Sequence, residues 1–397
     1  MTRILHAHLL PMCAPEIENG WLDMNNGRIV AMGAGDPPED SPAAGAACGA
    51  NGAPAIDIYD AHGGFVLPGF VDAHCHLGMW ENALGFEGDD GNEDADPVTP
   101  QLRALDAVNA LDACFGEALA AGITAVVTGP GSANPVGGQS LAMKTYGRRV
   151  DDMVVKAPLA MKMALGENPK TVYHGKNQSP VTRMATAAII RGALSEARAY
   201  KEKQHSKKDP PDWDAKNEAL LPVLDGAVPV HIHAHRIDDI FTAQRLAAEF
   251  GFHLIIIHGT GAHVAPDLIT APVLCGPLLC DRSKPELKDL SLASPALLHA
   301  AGVPIAIVTD HPVVPIQYLA LEAALAVREG LPRDEALRAI TLNPARILGL
   351  EGRVGSLAPG LDADVLVFDG DPLAADAKPA VVFAAGMRVP YDTPIKI

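Results

Sequence analysis

FVDAHCHLG, residues 70–78, decides the fold. An apolar run stops at His74 and His76, two positions apart. Alternate side chains of a strand share a face, so both imidazoles point the same way. Two histidines so placed can reach one ion at ~2.1 Å. The same texture recurs downstream. VHIHAH (230–235) carries His231, His233 and His235, LIIIH (254–258) ends in His258, and IAIVTDHP (305–312) carries Asp310 and His311. Each is a short apolar strand with metal-capable residues at its C-terminal end, where a parallel α/β barrel keeps its active site.

Reading outward, eight strand candidates lie between about 66 and 350. They are FVLPGFVDAH, GITAVVTGP, SLAMKTYG, a stretch within MVVKAPLAMKMALG, VPVHIHAH, HLIIIHG, APVLCG and VPIAIVTD. Helical patterns alternate with them, among them RMATAAIIRGALSEARAYKEKQ (183–204), IDDIFTAQRLAAEFG (237–251) and LALEAALAVREG (319–330). Eight strands alternating with helices imply a parallel sheet closed into a (β/α)8 TIM barrel, a distorted one by the resemblance described below. Both chain ends have a different texture. ENGWLDMNNGRIVAMG (18–33) alternates around an Asn-Asn-Gly turn signal, and GRVGSLAPGLDADVLVFDGDPL (352–373) and AVVFAAGMRV (380–389) are strands cut by Gly and Pro. A small β-sandwich built from residues 1–65 and 351–397 is therefore expected, flanking a barrel over 66–350. DPPEDSPAAGAACGANGAP (36–54) reads as a small-residue loop.

The chain has 397 residues, enough for a barrel of ~250 residues and something smaller. The formal charge is −17, which argues against nucleic acid or an anionic membrane as partner. The N-terminal stretch MTRILHAHLLPM is too interrupted for a signal peptide, and no run of ~18 apolar residues exists. A cytoplasmic enzyme with a small-molecule substrate, and a homo-oligomer, is the expectation. Six cysteines without a CxxC pair read as free thiols.

The polar residues at strand ends carry the chemistry. A carboxylate closing a buried run, as Asp310 does, is costly unless it is paired or metal-bound. Three histidines on one face of VHIHAH need a reason in a barrel lumen. His233 is the expected ligand, His235 lies in the following loop within reach of substrate, and His231 sits deeper. MKMALGENPK (161–170) offers both Lys162 and Glu167. Lys162 is flanked by apolar residues, whereas Glu167 lies just past the strand. Two further stretches, EGDDGNEDADPVTP (87–100) and TGPGSANPVGGQSLAMKTYG (128–147), follow the first two strands as loops. The first is an ordinary solvated acidic run or a lid for cationic substrates. The second lacks the Gly-Lys-Ser/Thr of a P-loop and reads as a plain connection.

PGFVDAHCHLG (68–78) and ITLNPARILGLEGRVGSLAPGLDADVLVFDGDPL (340–373) resemble the first-strand motif and C-terminal signature of the metal-dependent amidohydrolase superfamily, in its imidazolonepropionase-related branch. The resemblance spans nearly the whole chain. It implies a distorted α/β barrel with a β-sandwich made from both ends. It implies that His74, His76, His233, His258 and Asp310 occupy metal and catalytic positions. A first ion, zinc or another divalent metal, would take His74, His76 and Asp310, and a second would take His233 and His258. Two-ion members add a bridging carboxylated lysine or glutamate, for which Lys162 and Glu167 are the candidates. In one-ion members one of His233 and His258 contacts substrate, which makes His258 a catalytic candidate beside Asp310. His235 and His311 remain substrate-contact candidates. The implied reaction is hydrolysis of a C–N bond in a cyclic amide, an N-acyl compound or a dipeptide. A hydroxide generated near neutral pH would attack, and Asp310 would shuttle the proton. The alternatives are a deaminase on the same scaffold and a metal-binding relative without catalysis.

Overall fold

A computed structural model describes residues 1–38, 56–81, 85–204, 206 and 210–390. The loop expected over 36–54 falls almost wholly outside them, as does Cys48. The other five cysteines are free thiols.

Eight strands form the barrel sheet, hydrogen-bonded in chain order. They are β1 (Phe70–Cys75), β2 (Ile123–Thr128), β3 (Val136–Lys144), β4 (Val154–Ala164), β5 (Val230–Ala234), β6 (Leu254–His258), β7 (Val273–Cys275) and β8 (Ile305–Ile307). These overlap the eight stretches read from the sequence, with corrections. The Phe65–Pro68 part of the first stretch belongs to the terminal sheet, and the third strand starts at Val136, before the expected SLAMKTYG. β3 runs antiparallel to both β2 and β4, while the other pairs are parallel. The reason is connection length. A parallel pair needs a crossover of about a dozen residues or more. Residues 129–135 and 145–153 are too short to supply one on either side of β3.

β8 and β1 are stitched together at the C-terminal end. The Asp310 N–H donates to the His74 carbonyl at 3.2 Å, and the His76 N–H donates to the His311 carbonyl at 2.8 Å. Deeper in the seam, Asp72 on β1 accepts the Thr309 hydroxyl at 2.5 Å and the Thr309 N–H at 3.3 Å. The metal-capable residues of the first and last strands are thus fixed by the same bonds that close the sheet. The helical patterns form at Arg183–Gln204, Ile237–Phe250 and Leu319–Arg328. Their apolar faces bury Ile190, Leu194, Ile240, Leu246 and Ala323 against the strands.

The two chain ends meet in a second eight-stranded sheet. Phe65–Pro68, just before β1, pairs antiparallel with Val365–Phe368. The Asn-Asn-Gly signal forms a hairpin between Ile17–Asn25 and Arg28–Ala34, with Asn26 and Gly27 both at positive φ, as a tight primed turn requires. Ile4, Leu22, Ile29, Val66, Val365 and Phe383 form its apolar core.

Candidate metal centre

Strand register sets the depth of each inward side chain. His231 pairs with Lys162, and His233 with Ala164, one layer nearer the C-terminal end. His231 is buried below the site with its Nε2 unpartnered, and burial pulls it down to about 3. His258 closes β6, and Asp310 lies just past β8. Both adopt left-handed backbone, φ 71° and 54°. Such conformations cost on the order of 1–3 kcal/mol in non-glycine residues and concentrate at functional sites. Here they turn two side chains into the barrel mouth at the last possible position.

Two clusters result. His74, His76 and Asp310 form one, and His233, His235 and His258 the other, with donor atoms within 4.8 Å of one another in each. Asp310 Oδ1 is 3.2 Å from His74 Nε2 and 3.3 Å from His76 Nε2. The rings of His74 and His258 join the clusters at 5.6 Å between centroids. Lys162, 2% exposed, places Nζ 3.4 Å from His74 Nε2. Burial lowers its amine to about 8 against the pull of Asp310.

The outer ring nitrogens are held, so the inner ones are aimed. Nδ1 of His76 donates to the Gly129 carbonyl and Nδ1 of His258 to the Gly276 carbonyl, both at 2.7 Å. That assignment leaves each Nε2 with a free lone pair. His233 Nδ1 meets Ser132 Oγ at 2.8 Å, and His235 Nδ1 meets Thr260 Oγ1 at 2.7 Å. Burial holds His74, His233 and His235 well below the usual histidine range and His258 at about 4, so the rings are neutral and able to ligate. Burial alone would raise Asp310, but His258, His74 and His76 draw its carboxyl well below the usual range when they carry a proton toward it.

These groups floor a cavity of about 620 Å³ that His76, His233, His235, His258 and Asp310 all border, beside Trp80 and Lys284. Two expected residues do not join the clusters, although Glu167 borders the cavity. Glu167 begins the helix Glu167–Gly175, and its Oε2 accepts the Glu286 N–H at 3.3 Å instead of reaching the histidines. His311 is buried, does not border the cavity, and its Nδ1 accepts the Ile316 N–H at 3.2 Å. Within the acidic stretch 87–100, Asp94 is pinned by Lys176 and Asp96 by Lys216.

Sequence reading missed Glu286, which lies 3.7 Å from both His233 Nε2 and His235 Nε2. DRSKPELKDL (281–290) carries no ligand spacing, so nothing local marks it. Sequence reading also missed Ser132 and the Gly129 carbonyl. The Gly-rich loop after β2 read as a connection, yet it orients two histidines.

Comparison with known proteins agrees with this architecture. The model of the amidohydrolase family matches residues 65–396. An amidohydrolase of Hapsidospora irregularis, tasK, is 32% identical over 377 residues, covering 85% of this chain but 37% of its own length. The chain thus spans little more than a third of that relative. An imidazolonepropionase of Cupriavidus taiwanensis is 27% identical, covering 90% of this chain and 87% of its own. The crystal structure of an amidohydrolase from Thermotoga maritima superimposes with a TM-score of 0.90 at 40% identity, covering 98% of this chain and 99% of that one. With a matching family model over most of its length and the metal-capable strand ends in place, the chain belongs to the amidohydrolase family.

Proposed function

We propose that the protein is a metal-dependent hydrolase of C–N bonds in a small molecule: a cyclic amide, an N-acyl compound or a dipeptide. One observation carries the reading. Two separate metal-capable clusters, His74/His76/Asp310 and His233/His235/His258, share one cavity. The donors fit divalent ions, zinc first among them. Neutral imidazoles with Nδ1 held, a carboxylate, and an orphaned His233 Nε2 are what such an ion satisfies. The first ion belongs to His74, His76 and Asp310, and the second to His233 and His258. Lys162 rather than Glu167 is the bridging candidate. Its amine lies at the first cluster and, at about 8, is neutral often enough to take up carbon dioxide.

Bound divalent ions supply two things: an easily deprotonated water and a polarised carbonyl. The chain's own residues do the rest. Asp310, held ionised, accepts a proton at Oδ1 and returns it to the departing nitrogen. Asp72 holds Asp310 in place indirectly, through Thr309 and the His74 N–H. Trp80, its ring 4.5 Å from that of His76, walls the cavity. The barrel, from β1 to about residue 350, is the catalytic unit, and the described residues before and after it, Phe65–Pro68 included, form the composite domain beside it. Among the described residues no helix is long and apolar enough to cross a membrane. A cytoplasmic location and a homo-oligomer are part of the proposal.

The test is metal content followed by a hydrolysis screen over cyclic amides, N-acyl amino acids, dipeptides and aminopurine rings. Metal-free protein after growth with zinc refutes the proposal. Ammonia release from the purines alone replaces it with a deaminase. Two-site binding with a ¹³C carbamate signal that Lys162→Met abolishes supports the bridge.

A further inference from the structure

A carboxylate reaches the histidine trio from outside the barrel strands. Glu286 sits in the short turn Pro285–Leu287 of the loop that follows β7, with its side chain 1% exposed. Its Oε2 accepts the Glu167 N–H at 2.8 Å, and the reciprocal bond runs from the Glu286 N–H to Glu167 Oε2. Gly166 makes room for it. A Cβ there would stand 2.7 Å from Glu286 Oε2, on backbone at φ +84°. The carboxylate is therefore seated by the fold, with Oε1 turned toward Nε2 of His233 and His235, 3.7 Å from each. Oε1 and His233 Nε2 are both buried without a hydrogen-bond partner. Lys284 Nζ lies 3.0 Å from Oε1 as an ion pair.

We infer that Glu286 is a ligand of the second ion, donated by the loop after β7 to the set His233, His235 and His258; this rests on the two-ion hydrolase reading. A separation of 3.7 Å is too long for a hydrogen bond. It is close to the ~3.4 Å that separates two ligands held at ~2.1 Å by one tetrahedral ion. Buried His233 Nε2 has no partner and Glu286 Oε1 has only the Lys284 ammonium beside it, so one cation between the two atoms satisfies the first and completes the second. The charge also fits. Three neutral imidazoles offer a dication no countercharge, and Glu286 is the carboxylate that approaches two of them. The loop that carries it also lines the substrate cavity through Ser283, Lys284 and Leu287. Filling the second site thereby fixes one wall of the cavity.

The experiment compares wild type, Glu286→Gln, Glu286→Asp and Lys284→Met by zinc competition titration and by the visible spectrum of the cobalt-loaded protein. Circular dichroism reports folding of each. The wild type is expected to bind two ions. In Glu286→Gln the first should bind unchanged and the second about 10–100-fold more weakly, with altered cobalt bands. Glu286→Asp should keep two ions with a shifted spectrum, which serves should the glutamine variant not fold. Lys284→Met removes the ion pair but keeps the carboxylate, and should retain the second ion. Metal binding and spectrum identical to wild type in folded Glu286→Gln or, should that variant not fold, a wild-type spectrum in Glu286→Asp overturns the inference. So does equal loss of the second ion in Lys284→Met, since it assigns the carboxylate to holding the loop. A wild type that binds no ion refutes the hydrolase reading itself, and this is seen before any variant is compared.

Discussion

Two buried polar clusters in this chain are built on opposite principles. At the edge of the terminal sheet, Lys144 Nζ lies 2.6 Å from Asp364 and 2.9 Å from Asp362, all three nearly buried. Arg353 and Arg28 close on Asp362, and the Tyr146 hydroxyl donates to Asp364 at 2.9 Å. Each charge has its countercharge in contact. At the barrel mouth the pairing is incomplete, although Lys284 meets Glu286. Neutral histidines turn unprotonated nitrogens toward a shared space, His233 Nε2 and Glu286 Oε1 lack hydrogen bonds, and Lys162 stands beside His74 without a contacting anion. Burial is equal in the two places. What differs is completeness, and an incomplete buried set implies a ligand.

That contrast is broken most severely by removing first-cluster ligands. The double variant His74→Ala/His76→Ala should lose one ion per chain and all measurable turnover, while remaining folded by circular dichroism. Elemental analysis showing undiminished metal contradicts the assignment. Asp310→Asn should keep much of the histidine-bound metal and lose roughly 10²–10⁴ in kcat, since the amide accepts no proton. Near wild-type turnover of any substrate found in the screen places the base elsewhere. Lys144→Met should act in the opposite sense. It strands Asp364, which keeps only the Tyr146 and Ala385 donors, while Asp362 retains Arg353 and Arg28, so unfolding should become easier by about 3 kcal/mol. Metal content should be unchanged. A stability loss without metal loss at Lys144, and the reverse at His74/His76, is the signature of two clusters with separate tasks.

Much of this was legible beforehand because the signals are local. Strand ends after apolar runs placed His74, His76, His233, His258 and Asp310 at one mouth, and the structure brings them there. The direction of β3 was not legible from its composition, only from the shortness of 129–135. Lys162 and Glu167 lie close together in sequence and could not be separated by pattern. Register separates them, since Lys162 faces inward beside His231 while Glu167 has already entered a helix. Glu286 was invisible for a different reason. Its position depends on Gly166 and the Glu167 N–H, more than a hundred residues away, and no periodicity records a contact of that kind.

Glu322 lies between the two kinds of cluster and gives the smallest predicted effect. It lies in the first turn of the helix Leu319–Arg328, fully buried. Its Oε1 accepts the N–H groups of Leu278 and Leu279 at 2.7 and 2.9 Å, while Oε2 has no partner. Burial pushes the carboxyl up to about 8, against the lowering effect of those two bonds and with Asp72 and Asp310 adding to the rise. The folded state therefore holds this proton more tightly than the unfolded chain, whose glutamate titrates near 4.5. Its contribution to stability is fully present below pH 4.5 and is lost as the pH rises through about 8. Glu322→Gln keeps an oxygen for both N–H groups and cannot ionise. Its melting temperature minus that of the wild type should rise steadily from pH 5 to pH 8 and level off above. A difference independent of pH over that window would mean that Oε2 is already ionised and satisfied, and Glu322 would then belong with Asp364 among the completed charges.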